Sequence, residues 1–272
     1  MSYKNILVHV GSGERTTERL KVATAMAKTH GAQLTGIFCQ SEFNPGAVPA
    51  RKVSDDQLAL ADKAQKKFEA AASDAGAKSR WISAPRSHYG EVTRDMIIAA
   101  RHADLTIMGQ HDRENHGGIF PEDLAEQVVL NSGRPILVLP YTGTFDEVGT
   151  RSLVAWNGGR EATRALNDAM PILEQAKKVT IFALDKQHGE GADTGIDEVH
   201  YHLSCHGVDS QTKKMVLENI GVMDMVLSTA AEEAYNMLVM GAHGNYGFLN
   251  LSRGSGTRYI LQHMTLPVLL SH

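Results

Sequence analysis

Residues 237–257 read MLVMGAHGNYGFLNLSRGSGT. Gly241 closes an apolar run, Gly244 follows after two residues, and Gly254-Ser255 comes after nine more. This pattern suits the binding of a polyanion. Glycines let backbone N–H groups approach an anion closely and adopt positive φ. A helix opening at Ser255 would add free N–H groups and the positive end of a dipole. Ser255, Gly256 and Thr257 then form its first turn, with two hydroxyls, and Arg253 stands beside it as a cation. The bland reading is that these glycines are turn residues of a long loop. Other chemistries lack their residues. There is no Gly-x-x-x-x-Gly-Lys-Ser/Thr, no Gly-x-Ser-x-Gly elbow and no His-Glu-x-x-His. Ser255 has no evident base, and fast phosphoryl transfer needs charge clamps and a metal site.

The cluster His200, His202, Cys205 and His206 invites a zinc reading, since His202 and His206 are four apart and would share a helix face. Zinc sites take three or four ligands. Cys-His-Gly-Val reads equally well as a last helical turn before a glycine stop, where histidine needs no metal. His243 reads as a loop histidine, and His111 and His116 as solvated. Met223, Met225, Met237 and Met240 read as core, and Cys39 as a buried, inert strand end.

The elements that would position these residues occur twice. NILVHVGSGERTTERL (5–20) matches RSLVAWNGGREATRAL (151–166), with Leu7 on Leu153 and Leu20 on Leu166, an offset of 146. LTIMG (105–109) matches MLVMG (237–241), and Pro135 matches Pro267, an offset of 132. The 14 extra residues of the first copy fall near 41–53, where Pro45, Gly46 and Pro49 mark a loop. Strands are expected near 4–10, 33–39, 78–83, 104–109 and 135–140, then 152–157, 178–184, 208–215, 235–240 and 266–270. Helices are expected near 14–30, 54–75, 88–102 and 121–132, then 160–175, 195–206, 223–233 and 255–264. The helix near 54–75 opens on Ser54 with Asp55 and Asp56, stripes Leu58, Ala61, Ala64, Phe68 and Ala71, and ends at Ala75-Gly76. Strands apolar on both faces suit a parallel sheet covered by helices. The expected fold is α/β: two tandem doubly wound, Rossmann-like domains of five parallel strands, 1–141 and 151–272, joined by the polar segment 141–150. Ligands of such sheets bind beyond the strand carboxyl ends, near the switch point of strand order.

Gly-x-x-Gly-(nine residues)-Gly-Ser within this repeated unit resembles the nucleotide-binding pattern of the universal stress protein family. LVAWNGGREATRAL and the ending MTLPVLLSH resemble it too, so the likeness spans essentially the whole chain. The resemblance implies the adenine nucleotide alpha hydrolase-like fold and ATP, or a related adenine nucleotide, in the second domain. Ala155, Trp156 and Asn157 would lie against the nucleotide. The backbone of Leu184 would meet adenine. Met240 and Gly241 would flank adenine and ribose, with His243 and Gly244 by the ribose and phosphates. Gly254, Ser255, Gly256 and Thr257 would hold the phosphates. ATP-binding relatives commonly carry Asp where Asn157 stands. Asn keeps an acceptor but loses the charge that attracts Mg²⁺. The resemblance also implies an internal pseudo-dimer of the two halves through their last strands, and two chains could pair further as a homodimer.

The first copy departs from the motif. Asp112 replaces the second glycine, Glu122-Asp123 replace Gly254-Ser255, and Gly11 stands where Asn157 does. Acidic residues in a helix's first turn favour the helix. They oppose a phosphate, because a close like-charge pair costs up to about 4 kcal/mol at an effective dielectric of 20. A helix terminus returns only about 0.3–1 kcal/mol. Repulsion wins, and no ATP is expected there in this mode.

Bulk properties narrow the classes. The chain has 272 residues, 42% hydrophobic and 21% charged, which suits a folded soluble protein rather than a disordered or fibrous one. A net charge of −4 argues against a nucleic-acid partner. No apolar run of transmembrane length occurs, and the strand pattern at the start leaves no room for a signal peptide. Two cysteines suggest a reducing compartment, hence the cytoplasm. The expectation is a sensing or regulatory protein with at most slow ATP hydrolysis. The alternatives are a non-nucleotide interaction protein of the same fold and a slow ATPase.

Overall fold

The computed structural model describes residues 2–42, 52–86, 88–112, 120–185, 194–216, 221–244 and 254–272. Two compact units divide it, Ser2–Thr144 and Phe145–His272. The first runs β1 (Asn5–His9), α1 (Thr16–His30), β2 (Gln33–Phe38), α2 (Asp55–Asp74), β3 (Ser79–Ser83), α3 (Tyr89–Ala100), β4 (Leu105–Gly109), α4 (Leu124–Ser132) and β5 (Ile136–Leu139). The second runs β6 (Arg151–Ala155), α5 (Arg160–Leu173), β7 (Lys178–Asp185), α6 (Ile196–Cys205), β8 (Ser210–Val216), α7 (Val222–Glu232), β9 (Met237–Gly241), α8 (Ser255–His263) and β10 (Val268–Ser271).

Within each unit the strands are parallel, in the orders β3-β2-β1-β4-β5 and β8-β7-β6-β9-β10. The central strands are buried on both faces, as Ile6, Leu7 and Val8 show in β1 and Leu153 and Val154 in β6. That is why they read as continuous apolar runs rather than alternating ones. Edge strand β3, SRWIS, has no fully buried residue. Order reverses between β1 and β4 and between β6 and β9, so each unit has its crevice beyond the carboxyl ends of those two strands.

Two details differ from expectation. In α2 the buried stripe is Gln57, Ala61, Ala64, Phe68 and Ala72. Leu58 is 46% exposed, and Ala71 is half-buried. Gln57 takes the inward place because its amide donates to the Gln40 carbonyl at 2.9 Å, so a polar side chain is buried with its hydrogen bond made. The expected cap holds, with Ser54 Oγ accepting from Gln57 N at 3.2 Å. In the first unit α4 begins at Leu124, one residue after Asp123. Asp123 therefore stands at the N-cap, where its carboxylate accepts from Gln127 Nε2 at 2.9 Å instead of capping backbone N–H groups. The loop near 41–53 lies mostly outside the described residues.

Candidate functional site

In the second unit β6 delivers Ala155, Trp156 and Asn157 to the crevice. Trp156 N donates to the Phe182 carbonyl at 2.8 Å, extending the pairing with β7. The indole is buried, and its Nε1–H donates to the Thr194 carbonyl at 2.6 Å. Asn157 Oδ1 accepts from Gly159 N at 2.9 Å. This Asx turn starts α5 at Gly159. Leu184 pairs through its backbone with Met215 of β8.

From the other side β9 ends at Gly241. A β-carbon there would stand 2.5 Å from the Glu161 carbonyl carbon and 2.6 Å from Ala162 N. This glycine is needed because the first turn of α5 rests directly on the strand end. Ala242 N donates to the Ser271 carbonyl at 2.7 Å, and His272 Nδ1 donates to the Ala242 carbonyl at 2.9 Å. His243 N donates to Thr257 Oγ1 at 2.9 Å, tying the strand end to the first turn of α8. The His243 ring lies against Gly254, where any side chain would overlap it. Gly254 has φ +83°, the left-handed region, and forms the N-cap of α8.

The first turn of α8 holds Ser255, Gly256 and Thr257 and contains no acidic residue. Its leading N–H groups have no intrahelical acceptors, by the geometry of any helix start. Met223 packs beneath Gly256. One carboxylate does reach the crevice: a methyl group on Gly244 would lie 3.4 Å from Glu161 Oε2 and 3.5 Å from Asn157 Nδ2. Glu161 is buried, with Arg160 Nη2 at 3.4 Å from its other oxygen. The sequence pattern did not single out Glu161, although it belongs to the turn NGGRE that follows β6. Ala155, Asn157, Gly241, Gly244 and Gly254–Thr257 thus come from β6, β9 and α8 to one crevice. Met240 is buried in the sheet. Arg253 and the Leu184 side chain lie outside the described residues.

The first unit fills the equivalent crevice differently. His9, at the end of β1, is buried. Its Nε2–H donates to the Cys39 carbonyl at 2.9 Å, and its ring meets Phe120 edge-on at 5.5 Å. Burial, and then the neighbouring Arg19 guanidinium, lower its pKa to about 4. Arg19 reaches in from α1, with Nε donating to the His9 carbonyl at 3.1 Å and Nη2 to Thr16 Oγ1 at 3.0 Å. Its guanidinium occupies the space a side chain on Gly109 would need. Gln110 Oε1 accepts from Tyr141 N at 3.1 Å. The sequence reading missed Arg15 and Arg19. The signal was there: Thr16, Arg19, Leu20, Ala23 and Ala27 lie on one face at helical spacing and are all buried.

The other candidates sort simply. His202 on α6 and His206 at its C-cap pack edge-on at 4.8 Å, His200 Nδ1 bonds Ser210 Oγ at 2.8 Å, and Gly207 follows in the left-handed region. Among the described residues no group of three or more metal-ligating side chains is assembled. Met223, Met225, Met237 and Met240 are core, and Cys39 is buried with Sγ bonding the Val92 carbonyl at 3.5 Å. His111, expected to be solvated, is half-buried with its ring 5.8 Å from Phe120, because that aromatic ring covers it. His116 lies outside the described residues.

A doubly wound α/β unit with a glycine-lined crevice at its switch point defines a class of small-ligand-binding folds. The chain belongs to the universal stress protein family, whose profile matches residues 2–140 and again 151–272. Among solved structures it is similar to a universal stress protein from Archaeoglobus fulgidus DSM 4304, at 15% identity and a TM-score of 0.71. That match covers 98% of this chain and 95% of that one. A functionally unknown protein from Pseudomonas aeruginosa PAO1 follows at 16% identity and a TM-score of 0.61, covering 99% and 92%. No curated protein matches the sequence. At such identities the structural likeness speaks for the fold.

Proposed function

We propose that the second domain, 151–272, binds ATP or a related adenine nucleotide, and that the protein is a stress-response sensor or regulator with at most slow hydrolysis. The observation that carries this is the start of α8. A left-handed glycine opens it, small residues follow, and no carboxylate stands in its first turn. Backbone N–H groups and the positive dipole end of a helix start are what a phosphate needs. Ala155, Asn157, Gly241 and Gly244 form the rest of the crevice, with Ala155 small enough to leave room for a base. Trp156, buried and bonded to Thr194, acts as the wall behind it. Mg²⁺ is not required by the reading: Asn157 already uses its oxygen on Gly159, and Glu161 is the one carboxylate placed there among the described residues. The first domain, 1–141, is read as not binding ATP in this mode. Two thiols without a disulfide suit a reducing compartment, the cytoplasm. Among the described residues no helix is long and apolar enough to cross a membrane.

Calorimetric titration with ATP, backed by mass spectrometry of whatever co-purifies, tests the reading. One site per chain is expected. Ser255→Asp should lower affinity at least a hundredfold while leaving the fold intact, since an acid suits a helix start. Gly254→Glu should do the same, although its backbone there is strained. Unchanged affinity in Ser255→Asp refutes the phosphate assignment. Glu161 beside Gly244 favours a second reading, an interaction protein that takes no nucleotide, and absence of binding in the wild type would support it. Turnover lost in Ser255→Ala would instead point to a slow ATPase.

A further inference from the structure

We propose that the first unit binds a small monocarboxylate between Arg15 and Arg19. A cavity of about 40 Å³ lies beyond β4 and the start of α1, lined by both arginines, Gly109, Gln110, Phe120 and Tyr141. A single water needs only about 10–15 Å³ on this scale, so a group of a few heavy atoms fits and a nucleotide does not. Arg19 is 7% exposed, and its bonds go to neutral acceptors, the His9 carbonyl and the Thr16 hydroxyl. Arg15 gives Nη2 to the Pro140 and Gly143 carbonyls at 3.1 and 2.8 Å. Its Nε is buried with no hydrogen-bond partner. No ion pair joins either guanidinium to a carboxylate among the described residues. Two cations therefore share one pocket wall, neither of them ion-paired with the carboxylates that also line the cavity, and burial, then Arg15, lower the Arg19 pKa to about 10. A buried charge left uncompensated is costly, and an anion seated against it offsets that cost.

The charge of the ligand follows from the rest of the wall. Glu14, Glu18 and Asp112 also line the cavity. A second negative charge on the ligand would face them, which disfavours a phosphate dianion. The planar fork of arginine matches a carboxylate. Phe120 and Tyr141 offer surface to a short apolar tail.

The test is NMR of the full chain, titrating acetate against chloride at constant ionic strength. Saturable shifts are expected at the Gly109, Gln110 and Tyr141 amides and at Arg19 Nε–H, with acetate only. Arg15→Gln should weaken them at least tenfold, and Arg19→Met should remove saturation. Should Arg19→Met fail to fold, Arg15→Gln decides, because its side chain sits at the half-exposed start of α1. Equal shifts with chloride, or a wild-type titration in Arg15→Gln, overturn the site. Phosphate binding as tight as acetate overturns the single-charge assignment. ATP should leave Gly109 and Gln110 unmoved, so this proposal and the nucleotide reading of the second unit fail separately.

Discussion

The two units share a fold and place their crevices alike, yet nearly every side chain at the crevice is exchanged. At the offset of the repeat, His9 stands for Ala155, Gly11 for Asn157, Arg15 for Glu161 and Arg19 for Ala165. The glycines that close β4 and β9, Gly109 and Gly241, are retained for different reasons. In the second unit the missing side chain lets the α5 backbone lie on the strand. In the first it houses the Arg19 guanidinium. One substitution on the helix, arginine against the buried Ala165, thus changes what the same glycine is for. The crevice wall gains two arginines in one unit and a buried glutamate in the other. A repeated backbone fixes where ligands bind, and the side chains that vary decide what kind.

The largest difference should appear with pH. His9 titrates near 4 in the folded chain against 6.5 unfolded, so the native state binds fewer protons between those values. Stability from keeping His9 neutral is complete above about pH 6.5 and is lost as pH falls toward 4, by about 3 kcal/mol. Buried His30, also lowered, adds in the same direction. Urea unfolding at pH 7.5 and 4.5 should show the loss in the first unit, and His9→Gln should flatten it. A wild-type curve with no slope across that range would show that His9 is not buried neutral.

The paired glycines come next. Gly241→Ala drives a methyl group into backbone and should cost about 3 kcal/mol, whereas Gly109→Ala meets the end of a side chain and should cost about 1–2. Equal losses would erase the distinction between the two units. Glu161→Gln should tighten ATP binding about tenfold in EDTA, or about 1.4 kcal/mol, with a smaller gain in Mg²⁺. No change would place the phosphates away from Glu161. The smallest effect concerns thiols. Cys205 is exposed and should react with a disulfide reagent at once. Cys39, its thiol pushed up to about 12 chiefly by burial, should react only on unfolding. Two fast thiols per chain would contradict its burial.

Much of this was legible beforehand. Among the described residues, ten strands and eight helices fall where period, caps and turns put them, because each signal is local. The glycine spacing was legible for the same reason; of its residues, Gly241 ends β9 and Gly254 caps the start of α8. The stripe of α2 was misjudged at Leu58 because local hydrophobicity cannot know that Gln57 has the Gln40 carbonyl waiting for it. Glu161, Arg15 and Arg19 carried no motif, and their meaning depends on which strand end each helix start meets.

The sequence alone determined the repeat, the parallel α/β units and the glycine pattern, since these rest on periodicity and on residues whose backbone behaviour is their own. Only the tertiary structure decided that Gly241 serves helix packing, that His9 is neutral, and that two arginines face one small cavity. Those facts arise from groups far apart in the chain brought within a few ångströms, where burial and charge act on neighbours the sequence order does not reveal.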